Sequence, residues 1–542
     1  MQSLMMKSEL TLLPLFERAR SLYHDVEIVS RLPDKSLHRS SYGLFYQRAR
    51  ALAEMLTRIG LQPGDRVGTL MWNHYAHHEA YFGIPVAGGV LHTLNLRLSP
   101  DDLAYIVNHA GDRFVIVDDV LLPLWEKVRA QVQVERVFVV PLTGQPIPVG
   151  YESYEALLAE ASGHFDYPSI REDDAAGMCY TSGTTGKPKG VVYSHRAIVL
   201  HSLSSALPDV FSLSLSDTIV PVVPMFHVNA WGLPFSATMT GTKQVFPGPH
   251  LDPLSLLDLF EKEKVTASAG VPTIWLGIAQ ALDNNPTGWK LQPGLRMIVG
   301  GAAAPESLIR RLDKHGLTVI HAWGMTEMTP LGTVARVKST LTNRSEDERY
   351  AIRAKQGLQG TLVEVRIMGD QGAAPWDGHT MGELQVRGPH VASAYYHPEE
   401  PSSSWTDDGW FRTGDIATID ADGYVGIVDR SKDVIKSGGE WISSVALENA
   451  LMGHPAVAEA AVVAMPHDKW QERPLAVVVL KPDQTVSAAD LIDFIRPAFA
   501  KFWLPDDVVF VESLPKTSTG KFQKSVLRQQ FSAHVATLAD RN

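Results

Sequence analysis

The chain has 542 residues, 45% of them hydrophobic and 20% charged, an ordinary globular composition that excludes a fibrous, disordered or membrane-embedded protein. Its 49 Lys and Arg against 60 Asp and Glu leave a formal net charge of -11, a field that repels a polyanion and argues against nucleic acid as a partner. The single cysteine, Cys179, excludes an internal disulfide framework and every multi-cysteine metal site, and it fits a reducing compartment.

At roughly 100 to 200 residues per domain, this length predicts two to four structural units, some of them fused into one large lobe. The N-terminal stretch TLLPLF is too short for a signal-peptide core and has no small-residue cleavage site behind it. No apolar run approaches the roughly 20 residues that cross a bilayer, so the expectation is a cytoplasmic protein. His74, His77 and His78 have i, i+3 and i, i+4 spacing on a predicted helix, which raises metal binding. Because His77 and His78 are adjacent and cannot share a face, and no carboxylate motif completes a ligand set, packing is preferred.

Through most of the first 400 residues, β-branched segments alternate with helical patterns. RFVIVDDV (113–120) and RVFVVP (136–141) predict buried strands, and 251–264 and 304–316 predict amphipathic helices. That alternation predicts α/β architecture with largely parallel sheets. From about 357 short strands with frequent turns predict a small β-rich subdomain, and past Arg430 an α+β pattern with a basic end places a boundary near Ser431.

The most informative segment is Met178 to Gly190, an apolar strand that runs into hydroxyls, glycines and lysines before a second strand, GVVYSH. Such a loop offers N–H groups, hydroxyls and ammonium groups to phosphate oxygens. It is not a Walker A loop, because Pro188 stands where Ser or Thr would follow GK and no Gly lies five residues before Gly186. The chain also lacks G-x-G-x-x-G, so a Rossmann dinucleotide site has no support. Cys179, on the strand before the loop, is read as packing and not as a nucleophile.

YTSGTTGKPKG resembles the phosphate loop of the adenylate-forming superfamily of acyl-CoA synthetases, peptide-synthetase adenylation domains and luciferases. The other motifs of that superfamily follow in order: PMFHVNAWGLP (224–234), GGAAAP (300–305), HAWGMTE (321–327), GWFRTGD (409–415), DRSKDVIKSGGE (429–440) and PKTSTGK (515–521). The resemblance implies an α/β fold with a large N-terminal lobe (1–430) of two mainly parallel sheets with helices. A small β-barrel-like subdomain (about 345–430) and a mobile α+β C-terminal lid domain (431–542) complete it.

The implied activity is an ATP- and Mg²⁺-dependent acid–thiol ligase, in which a carboxylate attacks the α-phosphorus of ATP and CoA then takes the acyl group from acyl-AMP. The superfamily gives nucleotide contacts to Thr181, Ser182, Gly183, Thr184, Thr185, Gly186 and Lys187 of the loop. It adds Gly301, Ala302 and Ala303, then His321, Ala322, Trp323, Gly324, Met325 and Thr326, and later Ile427. Glu327, with Thr184, is the implied Mg²⁺ ligand, as a hard oxygen donor should be. Trp323, where Tyr is commoner in the superfamily, would lie against adenine. Asp415 resembles the carboxylate that accepts both ribose hydroxyls, and Arg430 its partner. Taken alone, TGD followed by DADGY reads as a hairpin turn.

Lys521 matches the lysine that reaches from the small domain to the α-phosphate and the acyl carboxylate, where an ammonium neutralises developing charge. Lys432 falls at the hinge about which that domain rotates, and Lys436, Gly438 and Glu440 lie in the segment that faces the incoming thiol. His227 resembles the histidine beside the substrate carboxylate, and Trp231 matches an indole that gates the fatty-acid tunnel of bacterial long-chain acyl-CoA synthetases. The candidate acyl lining of Val228, Trp231, Gly301, Ala302, Met325, Pro330 and Leu331 suits an aliphatic or arylalkyl acid, and no Asp stands where amino-acid-selecting domains place one. Three alternatives stay open: a short-chain, methylthiopropionate or aryl acid as substrate, transfer to an amine or carrier protein, and an AMP-sensing protein without catalysis. Homodimerisation is implied by the resemblance alone.

Overall fold

The computed structural model describes residues 1, 3–181, 187–369, 371–398, 402–438, 440–516 and 522–532. Two large sheets form the first part of the chain. One has seven strands in the order Glu152–Ser153, Arg136–Val140, Asp112–Asp118, Arg66–Leu70, Val90–Thr93, Ala175–Tyr180 and Gly190–Ser194, parallel except for the last pair. The other has nine, and at its centre Lys243–Phe246, Thr218–Pro221, Ala267–Gly270, Arg296–Val299 and Thr318–Gly324 run parallel. Phe114, Val115, Ile116 and Val117 are all fully buried, as a central parallel strand covered on both faces requires. One hydrophobic core takes residues from both sheets and from the helices Tyr42–Arg58 and Tyr75–Val86.

The helices have local causes. Pro253–Lys262 starts on Asp252, whose side chain accepts the Ser255 N–H at 2.9 Å, with Pro253 in the first turn and Lys262 in the last. Removing such a cap costs about 1 kcal/mol. Its Leu256, Leu257, Leu259 and Phe260 face the core.

The predicted histidine cluster is packing. His74 caps the helix and lies 2.8 Å from Asp118 Oδ1. His77 sits between Thr69 Oγ1 and the Trp72 carbonyl, both at 3.0 Å. His78 lies 2.9 Å from Thr238 Oγ1 and stacks on Phe45. Among the described residues no group of three His, Cys, Asp or Glu could hold a metal ion.

Helix Glu346–Ala354 and strand Leu358–Gln359 belong to the edge of the nine-stranded sheet. The antiparallel sheet begins at Glu364 and runs through Gly382–Arg387 and Phe411–Ile419 to Val425–Arg430. Its own core includes Val363, Leu384, Val386, Phe411, Ala417 and Val425.

After Arg430 a separate sheet forms around the long hairpin Val457–His467 and Gln471–Leu480, with Ile435–Ser437, Glu440–Ile442 and Asp507–Phe510. Helices Ser444–Met452 and Ala488–Ile495 cover one of its faces and Lys524–Gln530 the other. Hydrogen bonds join it to the strand before it. The Ser443 hydroxyl donates to the Val428 carbonyl, and Asp429 accepts the N–H and hydroxyl of Ser444. Among the described residues no helix is long and apolar enough to cross a membrane.

Candidate active site

A cavity of about 1060 Å³ opens where the C-terminal ends of the nine-stranded sheet's parallel strands meet the glycine-rich hairpin, the antiparallel sheet and the C-terminal unit. Strand C-termini are where open α/β sheets bind ligands. The mouth of the glycine-rich loop is fixed by pairing: Tyr180 lies opposite Gly190, and the Thr181 N–H donates to the Lys189 carbonyl at 2.9 Å. The Lys189 N–H returns a bond to Thr181 Oγ1 at 3.0 Å. Thr181 and Lys187 line the cavity, with Lys187 Nζ 4.9 Å over the Tyr105 ring. Ser182, Gly183, Thr184, Thr185 and Gly186 lie outside the described residues.

Strand Thr318–Gly324 carries Ala322, Trp323 and Gly324 to the cavity wall, and a single 3-10 turn presents Thr326 and Glu327 beyond it. The Met325 N–H donates to the Pro330 carbonyl at 3.0 Å and so folds Pro330 and Leu331 back onto the same wall. Tyr193 donates its hydroxyl to the Thr326 carbonyl at 2.8 Å. Glu327 is only 5% exposed, and its Oε1 accepts the Tyr395 hydroxyl at 2.6 Å. A buried carboxylate at a cavity wall with one protein hydroxyl on it suits a hard cation that takes its remaining ligands from phosphate and water.

Asp415 and Arg430 are opposite one another in the antiparallel sheet. The Asp415 carboxylate is 3% exposed, with Arg430 Nε 2.9 Å from Oδ1 and the Trp323 indole N–H donating to Oδ2 at 3.0 Å. Thr413, Gly414 and Arg430 line the cavity around it.

The apolar end rests on an unusual turn. Val228, Asn229, Ala230 and Trp231 have φ of 45°, 51°, 49° and 57°, four successive non-glycine residues in the left-handed region. Such residues cost roughly 1 to 2 kcal/mol each, so surrounding contacts must hold them there. Asn229 Oδ1 accepts the Cys179 thiol at 3.3 Å and the Thr93 hydroxyl at 3.4 Å. Burial pushes the Cys179 thiol up to about 11, which suits packing and opposes nucleophilic use. The turn delivers His227, Val228 and Trp231 to the cavity opposite Gly301. A Cβ on Gly300 would stand 3.1 Å from the Trp231 ring, so the indole closes that end against a bare glycine.

Several predicted positions stand off the cavity wall. His321 is buried, accepts the Ala304 N–H at 3.3 Å and lies 3.1 Å from the Ala354 carbonyl, so it braces the GGAAAP turn, and burial lowers it to about 4. Ala302 and Ala303 belong to that braced turn, and the Ile427 N–H donates to Gln356 Oε1 at 2.5 Å. Lys436, Gly438 and Glu440 lie on the first hairpin of the C-terminal unit, where the Gly438 N–H donates to the Trp470 carbonyl at 2.8 Å. Glu440 lines a different groove, with Trp441, Arg366 and Arg412.

From the C-terminal unit, Lys432, Phe522, Lys524 and Arg528 reach the main cavity, and burial lowers the Lys432 ammonium. Lys521 lies outside the described residues. Lys524 bonds Glu448 at 2.7 Å, and Arg528 bonds Asp433 at 2.8 Å. Sequence reasoning missed Tyr395 and Tyr396, whose only signal was an aromatic doublet in the loop after GPHVASA.

The model of the AMP-binding enzyme family matches residues 16–396, and that of the AMP-binding enzyme C-terminal domain matches 446–521. A long-chain-fatty-acid–CoA ligase of Thermus thermophilus is 51% identical over 531 residues, covering 98% of this chain and 97% of that protein. A 3-methylmercaptopropionyl-CoA ligase of Ruegeria lacuscaerulensis is 44% identical, covering 97% and 98%. The crystal structure of an anthranilate CoA ligase in complex with anthranoyl-AMP superposes with a TM-score of 0.86 at 26% identity, covering 98% of this chain and 99% of that one.

Proposed function

Because the chain belongs to the AMP-binding enzyme family, C-terminal domain included, we propose that it is an AMP-forming acyl-CoA ligase for a fatty or related apolar carboxylic acid. The acid's carboxylate attacks the α-phosphorus of ATP and expels pyrophosphate. The CoA thiol then attacks the acyl carbonyl and releases AMP. The observation that carries this reading is one cavity with two kinds of wall: Thr181, Lys187, Thr326 and Glu327 at a polar end, and Val228, Trp231, Gly301 and Leu331 at an apolar one.

In this reading the polar end holds the triphosphate and Asp415 takes the ribose hydroxyls. His227 stands beside the acid's carboxylate. Glu327 and Thr184 would hold Mg²⁺, which when bound neutralises phosphate charge. Lys521 completes the adenylating site from the small unit, a role supported by the presence of its neighbour Phe522 on the cavity wall. The boundary falls at 430/431, and rotation about Lys432 exchanges Lys521 for the Lys436–Glu440 segment, because one site cannot present both to the same carbonyl. The bonds from Val428 and Asp429 to Ser443 and Ser444 are among the contacts such a rotation must break. On the family resemblance alone, the reading extends to a cytoplasmic homodimer, which light scattering checks for its assembly.

Pyrophosphate exchange across acids from C2 to C16 and aryl acids, with AMP release measured with and without CoA, tests the proposal. The expected result is exchange with apolar acids and AMP release that depends on CoA. Acid-dependent AMP release that needs an amine or a carrier protein would replace CoA as acceptor, and no exchange with any acid would leave only nucleotide binding. A short thioether acid is favoured as a second substrate class by the closure of the Trp231 indole on Gly300, because such an acid would not need to displace the ring.

A further inference from the structure

An indole laid against adenine uses only its face, which leaves its one polar hydrogen without a task. In this chain that hydrogen is committed: Trp323 Nε1 donates to Asp415 Oδ2 at 3.0 Å, across 92 residues of sequence. The ring is backed on its other edge. A Cβ on Gly332 would stand 2.4 Å from Cζ3 and 2.5 Å from Cε3 of Trp323, so the benzo edge lies directly on a bare backbone while the pyrrole edge faces the carboxylate. On the other oxygen, Arg430 Nε lies 2.9 Å from Oδ1.

A carboxylate turns easily about its terminal torsion. Gripping two adjacent hydroxyls requires both oxygens in one plane facing the diol. With the indole N–H on one oxygen and the Arg430 Nε beside the other, Trp323 and Arg430 help set that plane before any nucleotide arrives. Pre-set geometry of this kind lowers the ordering cost of binding. A tyrosine carries its donor at the tip of the ring, whereas the indole presents its N–H along the ring edge that faces Asp415.

We propose that Trp323 is a positioning residue for the Asp415 carboxylate, so that this chain reads the ribose diol of its nucleotide through an indole–carboxylate pair. The inference rests on the proposed nucleotide site and deepens it. Calorimetric titration of the full chain with AMP, 2′-deoxy-AMP and 3′-deoxy-AMP tests it, using Trp323→Phe, Trp323→Tyr, Asp415→Ala and the Trp323→Phe/Asp415→Ala double variant. A hydrogen bond to a charged group predicts about a tenfold loss of AMP affinity in Trp323→Phe, with a much smaller loss for the deoxy nucleotides, so that ribose discrimination shrinks. Trp323→Tyr keeps a ring at the site and should lose the same discrimination. In the Asp415→Ala background, where no side-chain oxygen is left to accept the indole N–H, Trp323→Phe should add little, a non-additivity that a purely packing role would not produce. In pyrophosphate exchange the change should fall on KM for ATP more than on kcat. Equal losses for all three nucleotides, or additive effects in the double variant, would overturn the inference while leaving the ligase reading intact. Failure of the unaltered chain to bind AMP would overturn both.

Discussion

The large lobe buries imidazoles, and the small C-terminal unit buries an ion pair. His77 and His78 are lowered to about 3, and His195 and His321 to about 4, by desolvation, so these four imidazoles stay neutral. In the small unit Lys524 Nζ lies 2.7 Å from Glu448 Oε1, with Asp429 and Asp433 adding their charge. Burial works against the Lys524 ammonium, yet the surrounding carboxylates hold it above the ordinary lysine value, while burial pushes Glu448 up to about 7. Neutral buried groups suit a frame that keeps one shape. Charges gathered where the two parts meet suit an interface that must be made and broken.

In the proposed reaction the two parts divide the chemistry, and the largest effects test that division. Lys521→Ala should lower acyl-AMP formation by about a thousandfold, in line with the loss of one electrostatic stabiliser of a transition state, and spare thioesterification of supplied acyl-AMP. Equal loss of both half-reactions, measured by pyrophosphate exchange and by CoA consumption, would remove the division. Glu327→Gln should lower exchange by a similar factor from the lobe side, with its melting temperature nearly unchanged because the Tyr395 hydroxyl keeps an acceptor. An exchange rate within threefold of the unaltered enzyme would rule out Glu327 as the metal-facing group.

The joint is the next test. Lys432→Pro restricts the backbone where the small unit departs from the sheet. Pyrophosphate exchange should persist, and CoA-dependent turnover should fall by about a hundredfold. Unchanged overall turnover would place the rotation elsewhere.

The frame was more legible in the sequence than the joint. Strand Asp112–Asp118 and helix Pro253–Lys262 follow from a continuous apolar run and from a capped 3.6-residue period, because burial of one face fixes each of them locally. The order of the motifs brought Thr181, Glu327 and Trp323 into one site before any coordinates. What remained hidden depends on tertiary approach. Nothing in YYHP announces that Tyr395 bonds Glu327, 68 residues away, and nothing in HAWG announces that the indole reaches Asp415. His321 is among the nucleotide contacts that the superfamily resemblance implies, but successive residues of a strand point to opposite faces, and its ring turns toward the Ala354 carbonyl. The left-handed turn at Val228–Trp231 has no sequence signal either, since none of its four residues is glycine.

The smallest effect separates the two parts by pH. A histidine lowered from about 6.5 to about 4 gives stability that is full above pH 6.5 and lost as pH falls toward 4, because the unfolded chain then binds the extra proton. Glu448 has the opposite sign. Its carboxyl is raised from 4.5 to about 7, so the folded unit holds a proton that the unfolded chain has released, and stability is lost as pH rises through that window. That loss falls between about pH 5.5 and 8. Hydrogen exchange under mild denaturant, corrected for intrinsic rates, should show peptides from Val457–Leu480 weakening over this range while peptides from Thr318–Gly324, which carries His321, hold or strengthen. Glu448→Gln should abolish the slope in the first set alone, because an amide still accepts the Val462 N–H, now made at 2.7 Å, but cannot titrate. Lys524 keeps the field of Asp429 and Asp433 in that variant but loses Glu448, the largest of the charges that hold it, so stability at pH 8 reads whether those two carboxylates suffice for the buried ammonium. A variant that retains the slope would move the titration to another group, and one that loses stability at pH 8 would make the ion pair, rather than its burial, the dominant force at the joint.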